Sequence, residues 1–295
     1  MAQQSGWKLS FIPYYMTSPA VWASPPVEDA IRVLSNAKYD GVEWMLGQHF
    51  HSPENLKHLV EITREEGLAV SNIMCWQDLV TKDADARAQR VKLLQEMIAE
   101  ARSLSIPLMN VFTGPMTWNP SFQKIGRDIS EGEAWTVVTD AFSNIVESAE
   151  KHKVVVTVEP VFGMLVHDYY TVREFLRYFN SKYLGVNLDP SHFVVSGNDP
   201  VWAAKMLGNA VRHVHVKDAF GKPGGLGETF IFPFLGEGVV DWRGFFQTLD
   251  ETGYAGFLSL EFENDRYLNN VCDGDWSRAA IELKTRIEKF LPRRD

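Results

Sequence analysis

Four side chains of metal-binding type, Glu159, Asp189, His215 and Glu261, each stand where an apolar, β-branched run stops. The runs read VVVTVEP, YLGVNLDPSH, VRHVHVKD and GFLSLEFE, so each side chain is expected at the carboxyl end of a separate strand. In a parallel barrel those ends converge on one face, where such folds carry out their chemistry. Three carboxylates and one imidazole favour a hard-to-borderline divalent ion, Mn2+ first, with Mg2+ or Co2+ as alternatives. Structural zinc takes cysteine more often. Such a site leaves room for two substrate oxygens, and a ligand that is also a base can work beside a polarised carbonyl.

Each residue also has a plainer reading. Asp189, before Pro190 and Ser191, could equally cap the next helix. His215 in HVHV, taken alone, reads as a half-buried structural histidine. Glu159 and Glu261 end apolar runs, however, where an unpaired buried carboxylate costs several kcal/mol. The four together favour the metal.

The elements that must position them are legible in the same way. Eight candidate strands occur, KLSFIP, GVEWM, LAVSNIMCW, PLMNVFTG, VVVTVEP, LGVNLDP, VRHVHVKDA and GFLSLEFE. Between them lie segments with apolar i, i+3, i+4 spacing, such as Val91, Leu94, Met97, Ile98 and Ala101. Strands alternating with helices imply right-handed βαβ units and a parallel sheet. With no linker rich in Pro, Gly or Ser, the expectation is one (β/α)8 TIM barrel over residues 1–295. The longest irregular stretch, Ala219–Val239, follows strand seven and carries Phe220, Phe230, Phe232 and Phe234, so it reads as a lid rather than a disordered loop. A second insertion, TGPMTWNPSFQKIGRDISEG, follows strand four, and both should overhang the ligand face.

Composition narrows the partners. Of 295 residues, 45% are hydrophobic and 23% charged, which suits a large core. With 29 Lys+Arg against 38 Asp+Glu the net charge is −9, which disfavours nucleic acid and anionic membrane surfaces. Cys75 and Cys272 are too few for a disulfide framework and read as ordinary thiols in a reducing cytoplasm. The start, MAQQSGWKLSF, has no basic and apolar leader pattern, and no run of about 18 apolar residues occurs, so a cytoplasmic location is expected.

The ordered set VEP, NLDPSHF, RHVHVKDA, FLGEGVVDW and GYAGFLSLEFE resembles the xylose-isomerase-like barrel superfamily, most closely its ketose 3-epimerase branch. The resemblance covers nearly the whole chain and is strongest from Val154 to Glu263. It implies that Glu159, Asp189, His215 and Glu261 hold the metal. Glu159 and Glu261 would be the acid/base pair, moving the proton beside a carbonyl through a metal-stabilised enediolate. The implied substrate is a small sugar or sugar derivative, and barrels of this family often pair, which leaves a homo-oligomer open.

His192, three residues after Asp189, matches a substrate-binding histidine of the family, and Lys217, on the same strand face as His215, could bind a substrate oxygen. Helix-start packing and a buried ion pair are the respective alternatives. Glu43, Trp76 and Trp118 follow or end strands two to four and are further substrate-binding candidates. His49, His51 and His167 could serve likewise or be exposed loop histidines.

The chain departs from the epimerases at two places. Leu165 stands where they carry a substrate-binding glutamate, and Gly221 where they carry an arginine. Two readings follow: a metal-dependent isomerase or epimerase on a ketose or keto-sugar derivative, or a lyase or dehydratase on a 3-keto-glycoside or inosose. An abasic-site endonuclease, also known in this superfamily, would require more histidine ligands and a basic groove, whereas the chain has eight histidines in all and a charge of −9.

Overall fold

The computed structural model describes residues 6–18, 21–115, 122–222 and 229–292. Its centre is a closed barrel of eight parallel strands: β1 Lys8–Phe11, β2 Gly41–Met45, β3 Ala69–Cys75, β4 Leu108–Val111, β5 Val155–Val158, β6 Leu184–Leu188, β7 Val211–Val216 and β8 Phe257–Leu260. Each strand pairs with its sequence neighbour, and β1 closes on β8 with Lys8 opposite Phe257 and Phe11 opposite Leu260.

Helices follow the strands, including α1 Val27–Asn36, α2 Pro53–Glu65, α3 Ala84–Ser103, α4 Glu131–His152, α5 Tyr169–Arg177, α6 Pro190–Val195, α7 Pro200–Leu207, α8 Trp242–Glu251, α9 Asp265–Val271 and α10 Trp276–Ile287. Most begin at an acid or hydroxyl that accepts from a first-turn N–H, for example Ser52 for α2, Asp83 for α3 and Asp168 for α5. In α3 the buried face is Val91, Leu94, Met97, Ile98 and Ala101, the spacing read from the sequence. No helix of the described residues is long and apolar enough to cross a membrane.

Because strand side chains alternate between faces, each strand sends every second residue into the barrel. The outward ones, such as Val214, Val216, Leu258 and Leu260, join the main core against the helices. The inward ones are unusually polar: Ser10, Glu43, Asn72, Asn110, Thr157, Asn187, His213 and Ser259 are all buried. A smaller apolar cluster, Ile12, Tyr14, Met74, Phe112, Val161 and Met164, stands apart from the main core.

The long loop after β7 is pinned at its root. Asp218, on the opposite face of the strand from Lys217, accepts from the backbone N–H of Ala219, Gly236, Gly238 and Val240 and from the Trp242 indole. A Cβ on Gly238 would lie 2.1 Å from the Asp218 carboxylate, so glycine lets the backbone approach this closely. Phe220–Gly221 and Phe230–Ile231 pair antiparallel. The loop's four phenylalanines separate: Phe230 and Phe232 face a cavity at the barrel mouth, Phe234 is buried against Phe262, and Phe220 is exposed.

Candidate metal centre

Glu159, Asp189, His215 and Glu261 come from the ends of β5, β6, β7 and β8, and one donor atom from each lies within 4.8 Å of the others. All four are buried. Two oxygens of the quartet, Asp189 Oδ2 and Glu261 Oε2, accept no hydrogen bond among the described residues. They face the Lys217 ammonium at 3.1 and 3.0 Å. Asp189 still caps α6 through its other oxygen, which accepts from Ser191 N–H at 2.8 Å. The capping and ligand readings of this residue are therefore compatible, one oxygen for each.

The floor below orients these groups. Asn110 and Asn187 donate to Glu159 Oε2 at 2.7 and 2.9 Å, and Thr157 donates to Asn110. His215 turns Nδ1 toward Glu159 and Glu261, each at 3.2 Å, and Nε2 toward Glu43 at 3.2 Å. In the neutral tautomer that donates from Nε2 to Glu43, the Nδ1 lone pair would face the cluster, the arrangement by which a carboxylate fixes a metal-binding imidazole. Glu43 also contacts His213 at 2.8 Å and accepts from Asn72 at 2.7 Å.

The electrostatics call for positive charge. Burial pushes the Asp189 carboxyl up to about 7 despite the opposing pull of Lys217. Burial raises Glu263 to about 7 as well, again opposed by Lys217. Glu261 is held well below its ordinary range because Lys217 and His215 outweigh its burial. Burial pulls His215 down, but the carboxylates of Glu159, Glu43 and Glu261 outweigh it and lift it well above its ordinary value. Lys217 offsets part of this buried negative charge, and a divalent cation among the four donors would offset more of it. An oxygen-rich quartet with two oxygens lacking hydrogen bonds fits such an ion. Cys75 and Cys272 are buried, free and outside the quartet.

The other expected residues fall into three groups. His192 and Trp76 line the cavity, with His192 Nε2 3.5 Å from Asp189 and 3.7 Å from Glu159. Lys217 joins Asp189 and Glu261. Glu43 lies fully buried beneath the quartet, 2.8 Å from His213 and 3.2 Å from His215, and is not among the residues that line the cavity. Trp118 lies outside the described residues. His49 and His167 are partly buried and bonded to backbone carbonyls, whereas His51 is exposed; none of the three lines the cavity.

Three residues at this site were missed. Glu263 sits 2.6 Å from Lys217, Tyr14 donates to Glu261, and His213 holds Glu43. Period two was the available signal: Glu263 follows Glu261 by two residues and His213 precedes His215 by two. Tyr14 carried no such signal, since it follows β1, far from the other groups in sequence.

The comparisons with known proteins agree with this architecture. A family model described as xylose isomerase-like TIM barrel matches residues 31–286. The chain belongs to this family. The uncharacterized protein YfiH of Bacillus subtilis is 30% identical over 167 residues, which is 50% of this chain and only 53% of that protein. An inosose dehydratase of Geobacillus thermodenitrificans is 22% identical over 290 residues, covering 92% of this chain and 94% of the relative. Among solved structures, D-psicose 3-epimerase from Clostridium cellulolyticum H10, crystallised with D-tagatose, superposes with a TM-score of 0.75 at 16% identity, covering 96% of this chain and 99% of its own. That likeness is one of fold. This chain's matches thus include an epimerase of the same fold and a dehydratase similar in sequence over nearly its full length.

Proposed function

We propose that this xylose isomerase-like barrel is a divalent-metal-dependent sugar isomerase or epimerase that moves the proton beside the carbonyl of a ketose or keto-sugar derivative. The observation that carries the reading is the buried quartet Glu159, Asp189, His215 and Glu261 at the mouth, with two of its oxygens lacking hydrogen bonds. These four residues would hold the ion, Mn2+ by donor preference. Bound there, a divalent cation polarises a carbonyl and stabilises the negative charge that develops on its oxygen.

The chain's own groups do the proton chemistry. Glu159 and Glu261 sit at the ends of different strands, and in the acid/base pair that the family resemblance implies one would take the proton and the other return it. Tyr14 donates to Glu261 and Lys217 stands 3.0 Å from it, so both favour its charged, basic form. Asn110 and Asn187 hold Glu159 from below and leave Oε1 toward the quartet. His192, held neutral by burial and by the nearby Lys217 cation, is placed to hydrogen-bond a substrate hydroxyl at the cavity edge.

A second reading, a lyase or dehydratase on an inosose or 3-keto-glycoside, begins with the same proton abstraction. The full-length match to an inosose dehydratase favours it. So do Leu165, buried in the main core, and Gly221, in the backbone pair with Phe230, because neither supplies the polar group that the ketose epimerases carry there.

The deciding measurement is mass spectrometry of ketoses and 3-keto-glycosides incubated in D2O with Mn2+-loaded protein. One deuterium gained with composition otherwise unchanged is expected for an epimerase or isomerase. Loss of water or of an aglycone would establish the lyase, and no exchange in any compound would rule out these substrate classes while leaving the metal site standing.

A further inference from the structure

The barrel mouth is divided. Counting inward positions at the strand ends, β5 to β8 present Glu159, Asp189, His215 and Glu261, whereas β1 to β4 present Ile12, Met45, Met74 and Phe112. The cavity between them measures roughly 780 Å3, within the range that drug-sized ligands occupy and more than one sugar ring fills.

Rings continue the apolar side around the cavity. Trp76 packs edge-on against Phe112 with centroids 4.9 Å apart. Phe162 meets Phe230 at 4.7 Å, and Phe230 meets Phe232 at 5.3 Å. This wall reaches the reacting side: Phe162 lies 5.5 Å from the His192 ring, and the Lys217 ammonium stands 4.8 Å from the centre of Phe232.

Met45, Met74 and Phe112 offer a sugar hydroxyl no strong hydrogen-bond partner, so a polyol lying across them would lose its bonds to water without replacement. A flat apolar group placed there loses nothing and buries its faces against rings. We infer that the substrate is a keto-sugar bearing an aryl-type substituent, its polyol part over the charged side and its substituent against Trp76, Phe112, Phe162, Phe230 and Phe232. This inference rests on the sugar reading above, and its test is separable from that reading.

The test is titration calorimetry of the Mn2+-loaded full chain with two probes, phenyl and methyl 3-keto-β-D-glucopyranoside. The phenyl probe is expected to bind about tenfold tighter or better. In the Phe230→Ala/Phe232→Ala variant that preference should fall to about twofold, the readout being the ratio of the two affinities, so that a change shared by both probes does not count. The milder Trp76→Leu substitution should lower it partway, and thermal unfolding checks that both variants fold. Equal affinities in the wild-type protein, a preference that survives both variants, or failure of the phenyl probe to bind would overturn the inference. Deuterium exchange on the same probes reports separately: preference without exchange removes the proton-transfer reading and leaves the aryl site, and exchange without preference does the reverse.

Discussion

The two halves of this barrel are built from the same βα unit yet end in opposite chemistry. At the level of the quartet, β5 to β8 place three acids and a histidine, while β1 to β4 place an isoleucine, two methionines and a phenylalanine. One layer lower the contrast disappears, because Glu43, Asn72 and Asn110 of the first half are as buried and polar as Thr157, Asn187 and His213 of the second. The halves therefore differ at the strand ends: the second half carries the charge there, while its loops add Phe162, Phe230 and Phe232 to the apolar surface of the first. Beneath it the first half supports the second, since Glu43 on β2 orients His215 on β7, and Asn110 on β4 orients Glu159 on β5.

The largest expected effect comes from the charged half. Glu261→Gln should lower turnover about a thousandfold, within the range a general acid or base contributes, while circular dichroism still reports a folded barrel. Wild-type turnover would remove Glu261 from proton transfer and leave the charged half without its assigned role.

A smaller effect tests the support from below. Glu43→Gln keeps the size of the side chain but weakens its hold on His215, so Mn2+ affinity by calorimetry should fall about 10- to 100-fold. Because Glu43 does not line the cavity, the preference between phenyl and methyl probes should persist. Unchanged Mn2+ affinity would mean that the floor of the first half is only packing.

The smallest effect lies on the apolar half and concerns stability. His49 Nδ1 accepts from Met45 N–H at 2.9 Å and its Nε2 faces the Pro13 carbonyl at 3.1 Å, which ties the end of β2 to the chain after β1. Burial, opposed by the Pro13 carbonyl and by Glu43, lowers this imidazole from 6.5 to about 4. The folded state thus favours neutral His49, and between pH 6.5 and 4 the unfolded chain binds more protons. Stability from this group is complete above pH 6.5 and is lost as pH falls to 4. In His49→Asn the unfolding temperature should drop less between pH 7 and pH 4 than in the wild type. Parallel profiles would contradict this account.

Much of this was legible in the residues. The eight runs and the helical spacing between them specify the barrel, because the strand residues that face the helices are apolar at period two and a covering helix needs a 3.6-residue period. The quartet was legible too, since a carboxylate that ends an apolar run has few stable alternatives to a cation or an ion pair. The rest was decided in three dimensions. Glu43 reads identically in sequence whether its side chain reaches the cavity or stops below it, and the stagger between strands settled that it stops below. Phe230 and Phe232 are two among four loop phenylalanines, and their selection for the cavity depended on Asp218 gathering the loop's root. Tyr14 and Glu261 are 247 residues apart and meet because β1 closes on β8. Periodicity along one segment fixes which face a side chain takes, whereas its partners across the barrel depend on closure and register, which are properties of the whole chain.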